Sequence, residues 1–161
     1  MDLPRTLNHG PRTFAMLCAL TLTMFAGCTM RGASEVKQAS AAPLIGTQWR
    51  LTQLGEEVVT NPAGAREIHL TLQAQNQRVT GFAGCNRMMG GYALSGDELK
   101  FDRPGGTMMA CEGRMDIEQR FMAMFENVAR WKITGNILQL LDASGKAIAT
   151  FESPPATSAG G

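Results

Sequence analysis

At 161 residues, 44% of them hydrophobic and 18% charged, the chain is long enough for one packed core and too apolar to be disordered. Its formal net charge of +1 leaves no electrostatic footprint for nucleic acid and argues against that partner. Two histidines, one of them His9, are too few for a His-built metal or catalytic centre.

The chain opens with Arg5 and Arg12 against a single acid, Asp2, and then runs from Phe14 to Ala26 without a charge. That run falls short of the about 20 residues a helix needs to cross a bilayer. A basic start, a short apolar stretch and small residues at its close predict a secretory signal over residues 1–27. The closing Phe25-Ala26-Gly27-Cys28 resembles the lipobox of bacterial lipoproteins, whose Cys is lipidated and becomes residue one. The resemblance implies lipidation at Cys28, with several acyl chains holding the protein to the membrane; each buried CH₂ contributes about 0.8 kcal/mol. Thr29, where an Asp would imply inner-membrane retention, implies an outer-membrane lipoprotein facing the periplasm. A plain signal peptide and a soluble periplasmic product is the alternative. Residues 28–42 read as the lipidated Cys and a flexible tether, 43–152 as one domain, and 153–161 as a disordered tail.

Within the domain, period two dominates. Thr47–Thr52 alternates with Trp49 and Leu51 on one face. Glu67–Ala74 alternates with Ile68, Leu70 and Leu72 inward and His69 and Thr71 outward, and Gln75-Asn76 turns it into Arg78–Phe82. Ser95-Gly96 joins Tyr92–Leu94 to Glu98–Phe101. The period then changes: Ile117, Phe121, Met124, Phe125 and Val128 recur at helical spacing, with Glu118, Gln119, Arg120, Glu126 and Asn127 assigned to the opposite side. Asp116, three residues before Gln119, is the predicted N-cap of a helix over about 116–130. Gly135-Asn136 and Ser144-Gly145 then mark two hairpin turns. The expected fold class is α+β and mainly antiparallel: a curled or barrel-like sheet packed on a single helix.

Two Gly-flanked loops carry the remaining cysteines, Gly81–Tyr92 with Cys85 and Gly105–Cys111 with Cys111. In an exported chain these two read as a disulfide, contributing roughly 3.5 kcal/mol by loop-closure entropy. Gly81, Gly84, Gly90 and Gly91 then provide positive φ or close backbone approach. Three other chemistries compete. A Cys nucleophile would need His69 as its base. A phosphate cradle would need a helix after Gly91, where a strand is expected. A soft-metal or redox module could use Met88, Met89, Met108 and Met109 beside the cysteines, although neighbouring strand residues face opposite sides. Glu56-Glu57 and Asp97-Glu98 read as solvated, and Glu112 and Asp116 as complements to the helix dipole. No metal site or cofactor is expected on the main reading.

Three motifs resemble the META domain family of HslJ-like bacterial envelope proteins. They are Gly46-Thr47-x-Trp49-x-Leu51, Gly84-Cys85-Asn86-Arg87 with Gly90-x-Tyr92, and Thr107-x-Met109-Ala110-Cys111, followed by the helix and Leu138-x-Leu140. Met108 stands where that family often carries Lys or Arg. The resemblance covers about residues 44–152 and implies a compact antiparallel fold with one helix, on lipoproteins linked to motility, stress and antibiotic tolerance. It implies no established enzyme activity and supplies no catalytic residues. The expected function is thus a non-enzymatic binding or supporting module of the envelope. Its membrane contact is the lipid, and an envelope protein is the expected partner. Any binding surface centres on Asn86, Arg87, Tyr92 and Thr107, in the loops 84–92 and 105–111.

Overall fold

The computed structural model describes residues 41–154; the predicted signal, Cys28, the tether up to residue 40 and the tail from 155 lie outside the described residues. The strands are β1 Trp49–Leu54, β2 Glu57–Val58, β3 His69–Gln73, β4 Arg78–Phe82, β5 Arg87–Ser95, β6 Glu98–Phe101 and β7 Gly105–Gly106. Helix α1, Met115–Met124, follows, and then β8 Arg130–Thr134, β9 Ile137–Leu141 and β10 Ala147–Glu152. Strand pairing runs β1-β3-β4-β5-β6-β8-β9-β10 and returns to β1, an antiparallel ring; β2 adds to β1 and β7 to β5. The barrel-like sheet with one α-helix is therefore the observed architecture. Closing the ring leaves few free sheet edges.

The ring closes where Arg50 faces Glu152 and Leu51 faces Phe151, with a register shift between Leu51 and Gln53. Its thinnest seam is β6–β8, where Glu98 opposes Arg130. Two further bonds hold that seam, from the Leu99 N–H to the Ala129 carbonyl and from the Trp131 N–H to the Asp97 carbonyl.

Alternation along each strand sends one face inward. Trp49, Leu51, Leu70, Leu72, Val79, Met88, Leu99, Leu138, Leu140 and Phe151 are buried there. An eight-stranded ring is just wide enough for side chains to fill. Each fully buried aliphatic or Phe side chain contributes about 1.5–3 kcal/mol. Trp49 is buried with its Nε1–H donating to the Leu44 carbonyl at 3.0 Å, so its polar edge is satisfied. Helix α1 adds Phe121, which meets Phe151 edge-on at 6.3 Å; Phe125, just beyond it, meets Phe101 at 4.8 Å.

The helix differs from its expected bounds at both ends. Arg114 occupies the N-cap position without a side-chain capping bond, and Asp116 lies inside the first turn, where its carboxylate pairs with Arg120 at 3.0 Å. An acid there still complements the dipole. The C-terminus tightens after Met124 into a 3₁₀ turn, Phe125–Asn127, and Val128 is already extended. Phe125 and Val128 reach the core through either geometry, so their spacing could not tell the two apart. Strands β2 and β7 were not expected; Glu57 and Gly105 belong to two-residue segments whose pattern carries no period. At the domain's limits, the Ala42 N–H donates to the Gly135 carbonyl and the Ser153 N–H to the Asn136 carbonyl. Ser153, assigned to the tail, is buried, so the packed domain runs past residue 152.

Candidate functional site

Residues 83–86 carry the chain from β4 to β5. Gly84 turns it with φ +132°, a conformation that side-chain-bearing residues rarely adopt. Next to it, Cys85 is bonded to Cys111, with the two Cα atoms 5.7 Å apart, as the cysteine count predicted. The bridge ties this loop to the segment that leaves β7.

The centre of the site is a residue that the sequence reading placed on the solvent side of the helix. Glu118 is buried, and its carboxylate faces the loop. Oε2 accepts the backbone N–H groups of Cys85 at 2.9 Å and of Asn86 at 2.7 Å. Oε1 accepts a hydrogen bond from Asn86 Nδ2 at 2.7 Å. Asn86 Nδ2 also donates to the Met109 carbonyl at 2.9 Å, while Oδ1 accepts from Thr107 Oγ1 at 2.7 Å and from the Met109 N–H at 2.8 Å. Both amide hydrogens and both carbonyl lone pairs of Asn86 are therefore used. Arg114 Nε donates to the Gly84 carbonyl at 3.3 Å and closes the arrangement from the helix side.

Burial pushes the Glu118 carboxyl upward, but the hydrogen bonds from the Asn86 side chain and from the Asn86 and Cys85 backbone outweigh it, and the group lies below its ordinary value of 4.5. The carboxylate is ionised at neutral pH and occupied by donors. In that state it fastens helix to loop instead of shuttling protons.

The expected binding residues divide into two pairs. Asn86 and Tyr92 are buried, which corrects their assignment to a contact surface: Asn86 holds the knot, and Tyr92 Oη donates to the Gln73 carbonyl at 2.9 Å. Burial raises the Tyr92 phenol above its usual range. Arg87 and Thr107 are exposed and adjacent, joined by the Thr107 N–H bond to the Arg87 carbonyl at 3.1 Å.

Among the described residues, the groups named for the competing chemistries are placed as follows. Met88 is buried while Met89, Met108 and Met109 are exposed, and both cysteine sulfurs are spent on each other, so no thiolate is offered to a soft metal. His69 stacks on Phe82 and its Nδ1 lies 2.9 Å from the Glu67 carbonyl. The loop after Gly84 leads into β5, not a helix. Among the described residues, no three His, Cys, Asp or Glu side chains converge as metal ligands.

The knot predicts a limited role for the bridge. Replacing Cys85 and Cys111 together by Ser is expected to lower the unfolding free energy by about 2–4 kcal/mol. The fold should persist, because Asn86 still binds Thr107 and Met109. Urea melts read the loss, and a non-cooperative unfolding curve for the double variant would show that the bridge, not the amide, holds the loops.

A family model described as META domain matches residues 42–155. The chain belongs to the META domain family. Among solved structures, the META fold seen here is similar to the NMR structure of a protein from Burkholderia xenovorans, 31% identical, covering 70% of this chain and 84% of that one with a TM-score of 0.56. A second NMR structure, 22% identical, covers 68% of this chain and 90% of that one with a TM-score of 0.54 and supports the fold alone. A search of curated proteins found no match. Two of the three segments on which the resemblance rests, Gly84-Cys85-Asn86 and Thr107 to Cys111, are brought together by Asn86 and the bridge.

Proposed function

We propose that this META protein is a non-enzymatic lipoprotein of the cell envelope. Acyl chains on Cys28 hold it to the outer membrane, with the domain facing the periplasm. There it acts as a binding or supporting module in envelope stress or motility physiology. The observation that carries this reading is the Cys85–Cys111 bridge. Disulfides persist in oxidising compartments, in keeping with the export signal read from residues 1–27. The absence of turnover is supported by the state of the two reactive groups at the site: Glu118 is saturated with donors and Cys85 is bonded. Binding at Arg87 and Thr107 is supported by their setting: Arg87 opens β5 and Thr107 directly follows β7, and both are already held in place, so a partner does not have to order them.

The test is lipidation. Wild-type protein grown with labelled palmitate should carry label and sediment with the outer membrane, and Cys28→Ala should lose both properties. Unlabelled wild-type protein found wholly in the soluble periplasmic fraction would remove the anchor from this reading.

A further inference from the structure

Met108 is 99% exposed, and Met109, Met89 and Met115 are 59%, 55% and 43% exposed. Met109 and Met115 lie beside the bridge, the Met109 carbonyl 3.5 Å from Cys85 Sγ, whereas the Met89 sulfur is 3.5 Å from Arg78 Nη2 on β4. Met89 lies on β5 opposite Gly105, and Met108 and Met109 follow β7 within three residues. Met115 opens α1 with its sulfur 3.4 Å from the Cys111 backbone nitrogen. By contrast, Met88 and Met124 are buried in the core.

Methionine is often a filler of core gaps, and these four side chains instead reach the surface. The thioether is also the softest nucleophile a folded chain offers once its thiols are paired. Oxidation of a core methionine places a polar sulfoxide where no partner exists and disrupts the fold. Here the backbone of Met109 is pinned at both its N–H and its carbonyl by Asn86, and the Met108 side chain stands in solvent. A sulfoxide at either position meets water.

We propose that Met108 and Met109, with Met89 and Met115, form a reversible oxidation site for two-electron oxidants of the peroxide or hypohalous acid class. Oxidation turns an apolar surface beside the bridge polar without unfolding the domain. In the peroxide case a sulfur lone pair attacks the terminal oxygen. The S–O bond forms as the O–O bond breaks, sulfur gives up two electrons, and the departing hydroxide takes a proton and leaves as water. A dithiol reductant reverses the change, becoming a disulfide as the oxygen departs as water. The Cys85–Cys111 bridge is already oxidised and holds no thiol to compete for the oxidant.

The experiment titrates the purified full-length protein with hydrogen peroxide, maps sulfoxides by peptide mass and follows the melting temperature. Met108 sulfoxide should form first, at least about tenfold faster than at Met88 or Met124, with the melting temperature unchanged. Methionine sulfoxide reductases for both epimers should restore the original mass, and M108L/M109L should shrink the fast phase without changing the rates at Met88 and Met124. Equal rates at Met88 and Met108, loss of the fold as Met108 is oxidised, or resistance to the reductases would each overturn the proposal.

Discussion

Glu118→Ala is expected to lower the unfolding free energy by about 3–5 kcal/mol, the range for removing one partner of a buried charged network. Three donors lose their acceptor at once: the Cys85 and Asn86 N–H groups and one Asn86 Nδ2 hydrogen. Glu118→Gln is the sharper variant. It keeps the volume, but its amide nitrogen must face a donor, so it should also destabilise at neutral pH. Its pH dependence carries the diagnosis. The folded-state pKa of Glu118 is lowered, so its contribution is fully present above the unfolded carboxylate value of about 4.3 and is lost as pH falls through the folded value. Wild type should therefore lose more stability than Glu118→Gln between pH 5 and the acid limit. Parallel curves for the two proteins in chemical denaturation at stepped pH would mean that Glu118 is not the ionised fastener described above.

Gly81→Ala is the second large effect. Gly81 faces Leu70 across β3 and β4, and a Cβ built on it runs into the carbonyl oxygen of His69 and lies 3.1 Å from the Leu70 Cα. Both are backbone atoms of a paired strand and cannot swing aside as a side chain would. Overpacking of this kind costs about 3 kcal/mol, a melting-temperature drop of about 10 °C or more for a domain of this size. Gly105→Ala is the matched control: its Cβ meets nothing within 4 Å, and its effect should stay within about 0.5 kcal/mol. Gly→Ala by itself stiffens the unfolded chain and favours folding, so equal losses from the two alanines would show that the close approach to β3 does not govern Gly81.

Much of the ring is written in local pattern. Leu70 and Leu72 alternate with polar neighbours, and Gly135 and Gly145 sit at the turns that join β8, β9 and β10, so these hairpins follow from period two and turn chemistry. The partner across the closure does not. Leu51 meets Phe151 from the far end of the chain, and alternation says which face is buried but not what pairs with it. Glu118 is a different kind of miss. It stands three residues before Phe121 and seven before Phe125, which puts it on the buried face of α1 by helical spacing alone. Its charge argued for solvent, and the deciding fact, three converging donors from a loop about thirty residues upstream, has no local signature. Tyr92 is similar: it is in phase with Met88 on β5, and its inward aim was legible in the period but masked by its polar tip.

Because β1 and β10 shut the ring, the first strand of the domain lacks one flank until the last strand exists. Arg50 waits for Glu152, and Leu51 for Phe151. A partly synthesised chain would present Trp49 and Leu51 with no lid, so folding belongs to the finished polypeptide, and such sequence-distant pairing is intrinsically slow. Once shut, the barrel gathers its two ends at one corner: Ala42 and Ser153 are both held by the β8–β9 turn, at Gly135 and Asn136.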